Sequence, residues 1–194
     1  MQAFNESLFL LLNASSQPSA FVVLIAKFFA EYAIWLVPLI LVVGWLRANS
    51  HLRKLMLEAA SSGLAGLLLA QVIGLVWQHP RPFMMGLGHT LIPHAADSSF
   101  PSDHLTLLWA VAFSFLIHQK SRSAGAVLAM LGIPIAWARI YLGVHFPLDM
   151  AGAVMVAGVS AWLCFRAARW FAGPIFRYAN AVYRCLFAPF IRRG

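Results

Sequence analysis

Charge is scarce in this chain. Only 10% of the 194 residues are Asp, Glu, Lys or Arg, where a soluble domain carries roughly 25%. That shortage excludes a water-soluble fold, which would lack polar surface to cover itself, and the 61% hydrophobic content points to a membrane class. Cysteine is rarer still. Cys164 and Cys185 have no metal-type spacing and make no disulfide framework. The segment Met1 to Ser16 lacks the basic start of a secretory signal. It reads instead as a short amphipathic lead-in with Phe4, Leu8, Leu11 and Leu12 on one side. No polar linker, repeat or low-complexity run divides the chain, so residues 1–194 are expected to form a single domain.

What the chain does have is apolar length. A helix needs about 20 mainly apolar residues to cross the hydrocarbon, and five stretches are candidates: roughly 19–46, 55–77, 103–118, 123–142 and 147–170. The expected fold is all-α, a polytopic transmembrane helix bundle of about five spans plus the amphipathic N-terminal segment. Pro38 predicts a tilt or kink in the first span. The third span is short, which suits a helix whose outer end is recessed around a site. Residues Gln78 to Ser102 are rich in Pro, Gly, His and Asp and read as an ordered loop.

A net charge of +8 raises nucleic acid as a partner, but the basic residues cluster beside apolar stretches, and none is expected. Arg47, Arg53 and Lys54 follow the first span, Lys120 and Arg122 the third, and Arg166, Arg169, Arg177, Arg184, Arg192 and Arg193 the fifth. With five spans all three groups share one side, which the positive-inside rule makes cytoplasmic. Residues 173–194, with Phe176, Arg177, Tyr178, Tyr183, Arg184 and Phe187 interleaved, predict a basic interfacial C-terminal tail. The outer connections hold only Arg81 and Arg139. Those two need another explanation.

Three motifs supply it. His79-Pro80-Arg81-Pro82-Phe83 follows the second span, Pro101-Ser102-Asp103-His104 opens the third, and Arg139 to Asp149 joins the fourth to the fifth. The topology puts all three at one membrane face, and ionisable groups at membrane depth are costly and usually functional. Arginine is a permanently charged fork that suits phosphoryl oxygens. Ser102 stands where a helix cap belongs, aiming the first amides of the third span at an anion, and Pro147 fits the first turn of the fifth. His145 and Asp149 are four residues apart on one helical face. A carboxylate on one imidazole nitrogen fixes the tautomer and leaves the other free to attack phosphorus. His104 is then the expected general acid and later base.

At these residues the chain resembles the type 2 phosphatidic acid phosphatases, the PAP2 superfamily. Arg81-Pro82, Pro101-Ser102-x-His104 and Arg139-x5-His145-x3-Asp149 match its motifs in order and spacing. The resemblance implies a phosphohistidine formed on His145, Asp149 as its partner and His104 as acid. It implies a phosphate held by Arg81, Arg139, Ser102 and the amide of Asp103, with no metal cofactor. Three positions depart: Gly74 stands where the motif has lysine, Asp103 where it has glycine, and Ala138 where it has serine. Pro101-Ser102-Asp103-His104 and Tyr141 to Asp149 are most similar to the undecaprenyl pyrophosphate phosphatase branch, the bacitracin-resistance type. The partners implied are a polyprenyl (undecaprenyl) pyrophosphate lipid and the bacterial inner membrane, with the active site facing outward.

The remaining polar residues carry simpler expectations. Lys27 and Glu31 should pair along the first span, with headgroup contact by Lys27 as the alternative. Glu58 should pair with Arg53 or Lys54, and His79, His89, His94 and Asp97 should be solvated. The seven tryptophans should mark interfaces and lipid contact. Competing functions are a lipid A phosphotransferase or broader lipid phosphatase, and, from another class, a small transporter or ion-binding membrane protein using Lys27, Glu31 and the outer histidines. A zinc hydrolase lacks the His-Glu-x-x-His helix it would need.

Overall fold

The computed structural model describes residues 2–47 and 49–191. Seven helices form it: α1 (Gln2–Leu12), α2 (Ala20–Lys27), α3 (Leu36–Arg47), α4 (Ser50–Val76), α5 (Asp103–Ile117), α6 (Arg122–Tyr141) and α7 (Pro147–Ile191). Four helical stretches are long and apolar enough to cross a membrane: 20–47, 50–76, 119–141 and 147–183. The shorter apolar α5 lies among them. The architecture is the expected all-α membrane bundle.

Helix α5 is its axis. It packs on α4, α6 and α7, and Leu105, Leu108, Ala110, Val111 and Ala112 are all fully buried. A helix enclosed on every side need not reach both membrane surfaces, which is why 15 residues suffice. The surrounding helices turn apolar faces outward at helical spacing: Leu64, Leu68 and Leu75 on α4, Val127, Met130 and Ile133 on α6, Met155, Val159 and Trp162 on α7. Water would penalise such a surface and lipid does not. Trp109 departs from the interface expectation. It is 8% exposed, and its indole donates to the Ala129 carbonyl at 3.0 Å.

The first span is one continuous stretch with a wide π turn at Phe28–Tyr32 and a 3-10 turn at Ala33–Trp35. Lys27 and Glu31 form no ion pair, contrary to expectation. At the end carrying most basic residues, Glu58 bonds His118 Nε2 at 2.9 Å, not Arg53 or Lys54. Arg53 is taken up by the Trp45 carbonyl, Asn180 and the Tyr183 ring.

The C-terminal tail continues the last helix: α7 runs unbroken past Gly173, 45 residues in all, roughly 67 Å at 1.5 Å per residue, about twice the hydrocarbon thickness. Its extension is held by Phe176 against Trp45 and under Lys54, and by Asn180 on Arg53. Arg192 and Arg193 lie outside the described residues, as do the side chains of Arg184 and Phe187.

Helix α1 also differs from its expected orientation. Asn5 and Phe9 form its buried face, whereas Phe4 and Leu11 point outward. Phe9 packs edge-on against Phe146, and Asn5 Oδ1 accepts the Leu148 amide of α7 at 3.0 Å. That amide is one of the unpaired donors at a helix start, and Phe146, at the capping position, has no side chain to satisfy it. Asn5 therefore caps α7 from another helix. Asn5→Ala should lower stability by about 1 kcal/mol, a fall in Tm of roughly 2–4 °C for a chain of this length. Asn5→Asp should retain most of it. Thermal unfolding in detergent checks this, and an unchanged Tm for Asn5→Ala would remove the cap from the account.

Candidate active site

All three motifs meet at the end of the bundle opposite the basic clusters. Arg139 lies two residues before the end of α6, which closes through Val144 N–H to Arg139 O (3.1 Å) and Gly143 N–H to Ile140 O (3.0 Å). This paired closure needs a left-handed residue, and Gly143 has φ +83°. The chain reverses there, so His145 returns to within reach of Arg139. Pro147 then opens α7. Arg81 arrives from the other side, on a loop whose stem is closed by Ser99 N–H to His79 O at 2.7 Å.

His145 is the centre of the arrangement and is 1% exposed. Its Nε2 receives Arg81 Nη1 at 3.1 Å and Arg139 Nη2 at 3.3 Å. Guanidinium nitrogens only donate, so Nε2 must be the bare, lone-pair nitrogen, and the proton sits on Nδ1. Nδ1 faces Asp149 Oδ2 at 3.1 Å, a carboxylate that also receives the Ser99 hydroxyl and the Phe146 amide (2.8 Å). Burial, followed by the charges of Arg139 and Arg81, holds the His145 pKa well below its ordinary value. The imidazole is neutral, oriented and nucleophilic at the nitrogen facing both arginines.

The two arginines are held differently. Arg81 has a carboxylate partner, Asp97, at 2.8 Å, and also donates to the Val144 and Ser98 carbonyls. Arg139 is 3% exposed and is bonded only to neutral acceptors: the Ala30 carbonyl (3.4 Å), His94 Nε2 (2.8 Å) and His145 Nε2. Its Nε has no protein partner. A buried cation without a bonded counter-charge is costly. This pocket is built to receive an anion.

Ser102 takes the position before α5 but does not cap it, contrary to expectation. Its Oγ is fully buried without a protein partner, and its amide donates to the Asp149 carbonyl at 3.3 Å. The hydroxyl and the first amides of α5 are thus free to bind an anion. His104 is half-buried, near enough to Arg139, His94 and Arg81 for their charges to act on it. The Asp103 side chain turns away to Gln71 Nε2 at 2.9 Å. With Gln71, Gly74, His79 and Asp97 it lines a cavity of about 330 Å³ beside the arginine pocket. Lys27, half-buried on α2, makes no hydrogen bond or ion pair with these residues among those described.

His94, expected in solvent, is half-buried against Arg139, while Asp97 is solvent-exposed as expected but also holds Arg81. Ser99, which orients Asp149, belongs to none of the three motifs. No spacing rule marks these three, since the loop that carries them has no period. Only its concentration of polar residues near membrane depth was a signal. Among the described residues, no three His, Cys, Asp or Glu side chains are grouped to hold a metal ion.

A helical membrane bundle enclosing an anion pocket around a bare imidazole nitrogen defines a class, the integral membrane phosphatases. Residues 55–172 match the PAP2 superfamily, and the chain belongs to that superfamily. It is 36% identical over 197 residues to a putative undecaprenyl-diphosphatase of Escherichia coli (strain K12), YbjG, covering 100% of this chain and 98% of that one. It is 40% identical over 162 residues to the undecaprenyl-diphosphatase BcrC of Bacillus subtilis (strain 168), covering 84% and 83%. Among solved structures, Aquifex aeolicus LpxE shares the fold with a TM-score of 0.70 at 23% identity, over 84% of this chain and 95% of that one.

The tautomer yields a prediction. Nitrogen-15 spectra of the imidazoles should show His145 neutral with its proton on Nδ1 at pH 6.5, titrating only well below it. A ring that gains its second proton at or above pH 6.5 contradicts the geometry.

Proposed function

We propose that this protein hydrolyses a polyprenyl pyrophosphate, undecaprenyl pyrophosphate by the chemistry of its named relatives, to the lipid monophosphate and inorganic phosphate. The observation that carries this is the pair of guanidinium donors converging on His145 Nε2.

The geometry supports a two-step course. The terminal phosphoryl group takes over the Arg81 and Arg139 donors, with the Ser102 hydroxyl and the first amides of α5 on its remaining oxygens. Fixed donors of this kind stabilise charge on a transferring phosphoryl group. His145 Nε2 attacks phosphorus in line, forming the N–P bond as the anhydride P–O bond breaks, and His104 protonates the departing lipid phosphate. The imidazolium formed is stabilised through Nδ1–H by Asp149, which Ser99 and the Phe146 amide hold in place. His104, now neutral, takes a proton from water. That water attacks the phosphohistidine, breaking the N–P bond and releasing phosphate.

The site's position supports the expected orientation. Arg47, Arg53, Lys54, Lys120 and Arg122 belong to the end opposite the pocket, and the positive-inside rule favours reading that end as cytoplasmic and the pocket as facing outward from a bacterial inner membrane. The α7 extension then lies on the cytoplasmic side, where an interfacial role fits its aromatic and basic residues. A transporter reading loses its basis, because Lys27 and Glu31 make no ion pair and α5 fills the centre with apolar side chains.

Phosphate release from undecaprenyl pyrophosphate by the purified protein, in EDTA throughout, tests the reading. Turnover should persist in the chelator and fall by roughly 10⁴-fold or more in His145→Ala. His104→Ala should lose on the order of 10²–10⁴-fold with this substrate, and far less with an ester whose leaving group needs no proton. Chelator-sensitive turnover, near-normal rates in His145→Ala, or equal losses for both substrates in His104→Ala would each contradict the assigned roles.

A further inference from the structure

The mechanism leaves one site histidine unused. His94 Nδ1 lies 3.2 Å from the Ala95 carbonyl, which only accepts, so that nitrogen carries the proton. Its Nε2 is then an acceptor, and it takes Arg139 Nη2 at 2.8 Å, the shortest contact that guanidinium makes. The His94 and His145 rings stand 6.1 Å apart and nearly perpendicular, both turned to the same arginine. His94 therefore occupies a place on Arg139 that a phosphoryl oxygen would otherwise take.

From this geometry we infer that His94 is a phosphate ligand, which gives up its bond to Arg139 when a phosphoryl group enters and donates to that group as an imidazolium. The inference rests on the reading of this pocket as a phosphoryl site. A protonated Nε2 cannot stay against Arg139 Nη2, because both would be donors. An anionic oxygen inserted between them accepts from both. The segment can yield without unpacking the core: Pro93 and residues 95–97 are exposed, between buried Ile92 and buried Ser99.

The groups facing His94 are Arg81, Arg139, His104, Asp97 and His145. Burial first, then the two guanidinium charges, keeps its proton affinity below the ordinary imidazole value. A phosphoryl dianion offsets both guanidinium charges and reverses that field. Binding is then coupled to protonation of His94, and this contact strengthens as pH falls through the imidazole range.

Calorimetric binding of inorganic phosphate to the full-length protein in detergent tests this. His94→Ala should weaken binding roughly tenfold or more, the scale of a lost charge-assisted hydrogen bond. His94→Lys, which keeps a cation at every pH, should restore it. The wild-type Kd divided by the His94→Lys Kd should rise from about pH 5.5 to about pH 8, and taking this ratio cancels the titration of phosphate itself. If His94→Ala binds phosphate equally or more tightly, His94 only blocks Arg139 and the inference is wrong. A ratio that is flat with pH also overturns it. Lipid hydrolysis on the same preparations separates the two readings. Normal hydrolysis with His94-independent binding sinks the ligand role alone, while His94-dependent binding without hydrolysis sinks the hydrolase reading alone.

Discussion

Two guanidinium groups buried against one imidazole nitrogen set the terms for this structure. Arg81 and Arg139 both donate to His145 Nε2, so that nitrogen must offer a lone pair, and the cations lie too close for the ring to take a second proton. Like charges at this separation repel strongly where water is excluded. The neutral ring relieves only part of that, because an imidazole can accept a hydrogen bond but cannot balance a charge. An anion placed between the two arginines would. Affinity for a phosphoryl group and readiness of the nucleophile therefore come from one arrangement.

The rest of that end of the bundle serves to hold the arrangement against its own cost. The closure at Gly143 brings Arg139 and His145 together. Asp97 fixes Arg81, and Ser99 and the Phe146 amide fix Asp149. Helix α1 adds two anchors: Asn5 on the start of α7, and Asn13, whose amide bonds the His89 and Tyr141 carbonyls while its oxygen accepts the His89 amide. Even the π turn in the first span contributes, since the Ala30 carbonyl within it accepts from Arg139. Close packing sharpens the geometry. Any side chain at Gly152 would collide with the Phe100 ring beside the Ser99–Ser102 segment.

Much of this was legible from residue order alone. Apolar length and basic clusters locate the spans, and motif spacing picks out Arg81, Ser102, His104, Arg139, His145 and Asp149, all of which the fold brings to one end. What stayed hidden obeys no period. Ser99, His94 and Asp97 sit in an irregular loop whose course depends on tertiary contacts. Asn5 acts on a helix 143 positions away in the chain. Glu58 found His118 because α4 and α5 pack side by side, a contact no local charge pattern announces.

Placing the pocket at one end of a bundle with a lipid-facing exterior also explains how a water-dependent reaction serves a membrane-bound substrate. On the proposed reading, the lipid's apolar tail stays in the hydrocarbon while its charged head meets the arginines at the membrane surface. The most direct measurement is a structure of the protein with orthovanadate, which mimics phosphorus during in-line transfer. The account predicts vanadium bonded to His145 Nε2, with Arg81 and Arg139 donating to its equatorial oxygens. Vanadium attached elsewhere, or reached by only one of the two arginines, would contradict it.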